Sequence, residues 1–214
     1  MKFAAIVFDM DGVLLDTERL WREIENDFFR KYFPDFDFSG ADFTGSSLYC
    51  VLDFLKKNFD FPFSDAEFLE IRKKFALEKI YKKCEMMPNA HAFLKKISAK
   101  MPAALGTSSC REWMNAAVAR HDLDDFFAAK VSVDDAGKKG KPAPDIFLKC
   151  AEKLKIPPEK CVVIEDSTVG ILAAKNAKMT VFGFQNGGKN SQNLSAADEV
   201  FSDFSELFLE KTFF

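Results

Sequence analysis

Apolar residues follow two different spacings, which divide the chain into two kinds of segment. Phe3 to Phe8 is an apolar run with the length of a strand buried on both faces. Between residues 17 and 86, apolar residues recur at intervals of three and four, which is typical of amphipathic helices. Ser64 and Glu67 form a capping-box pattern that opens the third of these helices. The pattern predicts a loop over residues 35–47.

From Pro88 onward the pattern alternates between helix and strand. Short apolar runs predict four more strands, at residues 102–106, 129–133, 161–164 and 180–184. Pro142 is expected in the first turn of the helix after the third strand. Strands alternating with helices predict an α/β fold with a doubly wound, Rossmann-like parallel sheet. The two domains expected are a core, made of residues 1–16 and 87–214, and an inserted helical domain, made of residues 17–86.

Composition and charge narrow the classes of partner. The net charge is -3, which gives no indication of nucleic acid or of an anionic membrane as a partner. Apolar runs do not reach the length of about 18 residues that a membrane span needs, and the first strand follows the N-terminus without a signal-peptide pattern. The five cysteines show no CxxC spacing, which favours reduced thiols. We therefore expect a cytoplasmic protein, with a monomer as the default state.

Polar side chains recur where the predicted strands end. They are two acids after the first strand, two hydroxyls after the second, a lysine after the third and two acids after the fourth: Asp9, Asp11, Thr107, Ser108, Lys141, Glu165 and Asp166. Parallel strands bring their carboxyl ends to one edge of a sheet, so these groups are expected to lie together. Oxygen ligands suit Mg²⁺, and a lysine near a helix start suits a phosphate. The pattern predicts phosphate chemistry, although each residue taken alone also fits a helix cap or a solvated loop.

Four stretches, in their order along the chain, resemble the motifs of the haloacid dehalogenase-like hydrolases. They are Phe8-Asp9-Met10-Asp11-Gly12-Val13, Leu105-Gly106-Thr107-Ser108-Ser109, Lys141-Pro142-Ala143-Pro144-Asp145 and Ile164-Glu165-Asp166-Ser167. The resemblance spans nearly the whole chain. The segment inserted after the first motif resembles the helical cap of that family, which opens and closes over the site.

The resemblance implies a role for each motif residue. Asp9 would be the nucleophile that forms an aspartyl-phosphate, and Asp11 the general acid and base. Lys141 would neutralise charge on Asp9 and on the phosphoryl oxygens. The implied Mg²⁺ ligands are Asp9, the backbone carbonyl of Asp11, and Asp166, with help from Glu165. The implied phosphate and substrate contacts are Met10, Thr107, Ser108 and Lys141, together with Thr44 and Ser46 from the cap loop.

The expected reaction is the Mg²⁺-dependent hydrolysis of a small phosphomonoester, with sugar phosphates among the candidates. In this family an acid at the position of Asp11 implies phosphate-ester chemistry rather than cleavage of carbon–halogen or carbon–phosphorus bonds. The β-phosphoglucomutases share the cap, but they carry a histidine where this chain has Trp21. They also carry Lys-Gly-x-Ser-Arg where this chain reads Thr44-Gly45-Ser46-Ser47-Leu48.

Those differences favour a hydrolase, with a sugar phosphomutase as the alternative. The third reading is a non-catalytic phosphate- or partner-binding protein on the same scaffold. It is disfavoured because simple binding does not need both Asp9 and Asp11. Trp21 is expected to be a packing residue rather than a substrate contact.

Overall fold

The computed structural model describes residues 3–34, 42–186, 191–205 and 212–213. Residues 35–41 of the expected loop over 35–47 lie outside the described residues. The predicted α/β fold is confirmed: six parallel strands form one sheet in the order β3-β2-β1-β4-β5-β6, with helices on both faces. The strands are β1 Ala5–Phe8, β2 Ala103–Gly106, β3 Ala129–Val131, β4 Cys161–Glu165, β5 Thr180–Phe184 and β6 Glu199–Phe201. The helices are α1 Glu18–Tyr32, α2 Leu48–Asn58, α3 Asp65–Ala76, α4 Ala90–Ser98, α5 Arg111–Arg120, α6 Asp145–Leu154 and α7 Thr168–Asn176.

The central strand β1 is buried on both faces, as its continuous apolar run predicts. Alternate side chains point to opposite faces. Phe8 joins the hydrophobic cluster on the side of α4 and α5, where its ring lies 6.2 Å from that of Phe93. Val7 joins the cluster on the side of α6 and α7, which contains Phe147. The strand that precedes Asp9 is therefore held by packing from both sides.

The structure differs from the sequence prediction in three places. It contains a sixth strand, β6, whose three residues at the sheet edge are too few to show a period. Strand β3 ends at Val131, because the Asp135 carboxylate accepts a hydrogen bond from the Ser132 N–H (2.9 Å) and turns the chain. Pro142 lies before α6 rather than in its first turn, because α6 begins only at Asp145.

The segment between β1 and α4 is helical, as predicted. The capping box of α3 is present: Ser64 Oγ accepts from the Glu67 N–H, and a Glu67 oxygen accepts from the Ser64 N–H. A single π-helical turn, Leu77–Tyr81, follows α3. The two chain segments that join this insertion to the sheet run side by side. Asp16 N–H donates to the Glu85 carbonyl (2.9 Å), and Met87 N–H donates to the Leu14 carbonyl (2.8 Å).

Phenylalanines account for much of the packing in the insertion and at the β5–β6 edge of the sheet. In the insertion, the ring of Phe28 lies 5.3 Å from Phe75 and 6.0 Å from Phe68. At the sheet edge, Phe184 lies 4.9 Å from Phe204. Such aromatic pairs contribute roughly 0.5–1.5 kcal/mol beyond the burial of their area. The abundance of this residue thus has a structural explanation in core packing.

A helix both long and apolar enough to cross a membrane is absent from the part of the chain that the structure describes.

Candidate active site

The candidate site lies where the strand order reverses. Strands β2 and β4 flank β1 on opposite sides, and ligands of open α/β sheets bind at the carboxyl ends of strands at such a point. The Asp9 N–H donates to the carbonyl of Ile164 in β4 (3.0 Å), which ties the end of β1 to the end of β4. The acids after these two strands are therefore neighbours, as the sequence predicts.

A buried ammonium lies between two buried carboxylates. Lys141 Nζ donates to Asp9 Oδ1 (2.6 Å) and also to Glu165 Oε1. The second oxygen of Glu165 accepts from the N–H (2.7 Å) and the hydroxyl (3.0 Å) of Ser167. Burial disfavours the charged form of Lys141, but Asp9 and Glu165 outweigh it and raise the pKa of the ammonium. Lys141 is therefore a permanent positive charge beside Asp9.

Three carboxylates at this edge fit a hard divalent cation. Asp9, Glu165 and Asp166 each offer an oxygen within 4.8 Å of the others. With Lys141 their formal charges sum to -2, which a divalent cation balances. Burial, followed by repulsion from Glu165, raises the pKa of Asp166 well above its usual range, so further positive charge stabilises its ionised form. An all-oxygen donor set is the kind that Mg²⁺ prefers.

Two glycines leave room for these acids. Gly12 has φ +77°, and a Cβ at this position would lie 2.0 Å from Asp166 Oδ2. A Cβ on Gly170 in α7 would lie 1.8 Å from Glu165 Oε1. Any side chain at either position would displace an acid from the group.

The Asp11 carboxylate faces a different set of partners. Ser109 Oγ donates to Asp11 Oδ2 (2.6 Å), and the Tyr81 hydroxyl donates to Asp11 Oδ1 (3.0 Å). The two hydroxyl oxygens lie 2.8 Å apart. All three oxygen–oxygen contacts are hydrogen bonds only when Asp11 is protonated: Asp11 then donates to one hydroxyl, that hydroxyl donates to the other, and the second hydroxyl donates back to Asp11. Burial raises the pKa of Asp11 against the hydrogen bonds from Ser109 and Tyr81, which favours the same protonation state.

The residues expected to contact phosphate differ in whether their side chains face the cavity. The Thr107 Oγ1 accepts from the Ser109 N–H (3.0 Å), and Ser108 Oγ is buried without a hydrogen-bond partner among the residues described. Both residues line the cavity in front of Asp9. Met10 is different, because its side chain is 1% exposed and packs in the hydrophobic core. Its only route to a phosphate is through the backbone.

A cavity of about 220 Å³ lies between this sheet edge and the inserted helices. Asp9, Asp11 and Lys141 line it from the core, and Thr44 and Ser46 line it from the insertion. Several further residues contribute to its walls: Glu18, Trp21, Arg22, Glu25, Asp42, Arg72, Ser109 and Trp113. The two residues that the sequence assigns to the cap loop thus face the same space as the catalytic candidates.

The chain matches a protein-family model over most of its length. The family model described as haloacid dehalogenase-like hydrolase matches residues 3–178, which include all four motifs. This chain belongs to the haloacid dehalogenase-like hydrolases. The expectation from the motif order is thereby confirmed at the level of the family.

Individual members of the family are similar over most of their length. A probable pseudouridine-5'-phosphatase of Drosophila melanogaster is 32% identical over 96% of this chain and 91% of its own. The fructose-1-phosphate phosphatase YqaB of Escherichia coli is 32% identical over 83% of this chain and 94% of its own. The solved structure of a putative beta-phosphoglucomutase from Thermotoga maritima superposes with a TM-score of 0.71 at 28% identity. It covers 98% of this chain and 99% of that one.

The structure brings residues to the site of this haloacid dehalogenase-like hydrolase that its sequence does not reveal. Ser109 could have been recognised from the sequence, because it lies within the second motif. Tyr81 and Arg72 come from the inserted helices, and their positions depend on how that segment packs on the core. Trp21, expected to be a packing residue, packs 5.4 Å from the ring of Trp113 and also lines the cavity. One wall of the cavity could therefore be recognised only after folding.

Proposed function

We propose that this enzyme is a phosphatase that hydrolyses small phosphorylated metabolites, using Mg²⁺ and a phosphoryl transfer to Asp9. The observation that carries the proposal is the pair of acids in one cavity with different environments. Asp9 is ion-paired to Lys141, whereas Asp11 is bonded to two hydroxyls. Burial raises the pKa of Asp9 to about 8, and Lys141 acts against that shift, as a bound Mg²⁺ would, so that Asp9 can serve as an ionised nucleophile. Asp11 is set up to carry a proton.

The proposed reaction divides one displacement into two steps. A carboxylate oxygen of Asp9 attacks phosphorus, the bond from phosphorus to the leaving oxygen breaks, and Asp11 gives its proton to that oxygen. A water then attacks the phosphorus of the Asp9 acyl phosphate while Asp11 takes a proton from it. The bond from phosphorus to Asp9 breaks, which frees phosphate and restores both acids. Lys141, 2.6 Å from Asp9, balances negative charge throughout.

The proposed ligands of Mg²⁺ are the carboxylates of Asp9 and Asp166 and the backbone carbonyl of Asp11. When bound, the ion supplies a Lewis acid that offsets the repulsion between the carboxylate and the phosphoryl oxygens. Glu165 is assigned mainly to holding Lys141, because both of its oxygens already accept hydrogen bonds. Thr107, Ser108 and the backbone at Met10 are assigned to the phosphoryl group.

We propose that residues 17–86 act as a cap and the remainder as the core. Thr44 and Ser46 line the cavity from the insertion, and adjacent connecting segments near Leu14 and Glu85 give a compact place for a hinge. Closure would exclude water from the phosphoryl transfer. If a phosphate analogue left both amide exchange and the scattering radius unchanged, closure would be refuted.

The test of the function is phosphate release from a panel of phosphomonoesters, with Mg²⁺ and with a chelator. We expect release that the chelator abolishes and that added Mg²⁺ restores, because the three acids need a divalent cation for phosphate to approach. Conversion of β-glucose 1-phosphate without phosphate release would favour the mutase alternative. Tight binding of phosphate with no turnover of any ester would favour the binding protein.

Tyr81→Phe tests whether the tyrosine hydroxyl positions Asp11. The variant keeps the ring stacked on Trp113, 5.4 Å between centroids, but loses the hydrogen bond to Asp11. We expect the rate of the first turnover on alkyl phosphates to fall by about 10-fold, near the upper end of the range for a hydrogen bond between neutral groups, because Asp11 gives its proton in this step. Formation of p-nitrophenol in the first turnover should slow much less, because this leaving group does not need a proton and Asp11 acts as a base only in the second step.

Tyr32→Phe is the matched control for this variant, because Tyr32 lies in α1 and outside the cavity-lining set. An equal loss in the first-turnover rates on aryl and alkyl esters in Tyr81→Phe would show a structural role for Tyr81 instead.

A further inference from the structure

The wall of the cavity that faces away from the sheet contains a buried arginine. Arg72, in α3, is 3% exposed and lines the cavity. Its Nη2 donates to Glu25 Oε1 (2.5 Å), and its Nη1 is buried without a hydrogen-bond partner among the residues described. A buried N–H group that lacks an acceptor has lost its hydrogen bonds to water without replacement, and this loss is more costly for a charged group than for a neutral one. A ligand oxygen that comes within reach of Nη1 would remove that cost.

The guanidinium is held in place by aromatic rings. Its carbon lies 5.2 Å from the ring centre of Trp21, 5.0 Å from that of Phe28 and 5.4 Å from that of Phe29. Cation–π contacts of this kind, together with the ion pair to Glu25, restrict the side chain. The orientation of Nη1 is therefore fixed before any ligand arrives, which lowers the entropic cost of binding.

The charges of this wall argue against a second phosphate. Three acids and two arginines line this wall. The acids are Glu18, Glu25 and Asp42, and the arginines are Arg22 and Arg72. With all five side chains ionised the formal charge of the wall is -1, and because burial raises the pKa of Glu18 to about 7, protonation of Glu18 would bring the charge to 0. Arg72 is already paired with Glu25. A leaving group with its own phosphate or carboxylate would thus meet no net positive charge, whereas a neutral group with hydroxyls would meet both donors and acceptors. The rings of Trp21 and Trp113, whose planes are 59° apart, add apolar surface beside these polar groups.

We propose that the pair Arg72–Glu25 recognises an uncharged, hydroxyl-bearing leaving group, such as the sugar of a sugar phosphate or the ribose of a nucleotide. When the cap closes on the ester, an N–H of the Arg72 guanidinium donates to an oxygen of that group, and Glu25 accepts from a neighbouring hydroxyl. This inference rests on the proposed phosphatase function and specifies its substrate class.

The test compares esters that differ only in their hydroxyls. Fructose-1-phosphate and hexyl phosphate have the same number of carbons, and a sugar bisphosphate adds a second charge. We expect kcat/KM of the wild-type enzyme to be highest for the hydroxyl-bearing monophosphates, and uridine monophosphate distinguishes a ribose from a free sugar. Arg72→Met should lower kcat/KM for the preferred ester by about 10- to 100-fold, the range of a charge-assisted hydrogen bond. The same variant should change kcat/KM for hexyl phosphate by less than about 3-fold.

Two further variants separate recognition from folding. Arg72→Lys keeps the positive charge, and Glu25→Gln keeps the side-chain volume. Both variants should lower the preference for fructose-1-phosphate over hexyl phosphate. Their melting temperatures should equal that of Arg72→Met or exceed it. Lys74→Met, on the exposed face of the same helix, should leave the preference unchanged. Equal losses on fructose-1-phosphate and hexyl phosphate, or a preference for the bisphosphate, would overturn this inference alone. Absence of phosphate release from every ester by the wild-type enzyme would overturn the proposed function and this inference with it.

Discussion

Replacing Asp9 by asparagine is expected to lower Mg²⁺-dependent phosphate release by at least about a thousandfold, on every ester that the enzyme cleaves. The amide oxygen of asparagine is a poor nucleophile and carries no charge with which to hold a cation. The amide oxygen still accepts a hydrogen bond from Lys141, and Lys141 keeps its ion pair with Glu165. The variant should therefore fold, and the loss should appear in kcat.

Asp53→Asn provides the matched control, because this acid is exposed on α2 and outside the cavity-lining set. Its rate of release should equal that of the wild type. Asp9→Asn retaining more than about a tenth of the wild-type rate would rule out Asp9 as the nucleophile. Far-ultraviolet circular dichroism and the melting temperature of both variants show whether any loss is due to unfolding.

Replacing Lys141 by methionine has the largest expected effect on stability. The ammonium is fully buried between Asp9 and Glu165, so its removal leaves two buried carboxylates facing each other. Breaking a buried ion pair from one side typically costs about 3–5 kcal/mol. We expect a loss of that size in the free energy of unfolding, measured by urea denaturation. Phosphate release should fall by at least about a thousandfold, because the charge on the phosphoryl oxygens is no longer balanced.

The double variant Lys141→Met, Glu165→Gln separates the two effects. Removing the second charge should restore part of the stability, since one carboxylate remains instead of two, while activity stays lost. Lys139→Met is the control, because Lys139 is 70% exposed and its ion pair with Asp145 is at the surface. A destabilisation of Lys141→Met below about 1 kcal/mol, measured alongside this control, would contradict the buried-pair account.

Much of the core could be predicted from the sequence because its signals are local. Continuous apolar runs mark the central strands, and each is followed by a polar group. The rule that parallel strands share one edge then places Asp9, Lys141 and Asp166 together without further information. The edge strand β6 escaped prediction because three residues with one buried side chain show no period.

The inserted wall of the site could not be predicted in the same way. Tyr81 reaches Asp11 across 70 positions of sequence, and Arg72 reaches Glu25 across 47. The first contact depends on how the π-helical turn packs on the core, where Tyr81 stacks on Trp113, and the second on the docking of α3 against α1. Neither is determined by a local motif. The spacing of Arg72 along α3 is equally consistent with a solvated helix face. Substrate recognition is thus the part of the function that required the structure.

The most direct test of the account is to trap the phosphorylated enzyme. Asp11→Asn, mixed with p-nitrophenyl phosphate and Mg²⁺ and quenched in acid, should still be phosphorylated, because this leaving group needs no proton. It should lose the phosphoryl group slowly, because the base for the second step is missing. Peptide mass spectrometry should then find one phosphoryl group, sensitive to hydroxylamine, on the peptide that contains Asp9. Rapid release of nitrophenol with no phosphorylated peptide, or with the phosphoryl group on a different residue, would contradict the account.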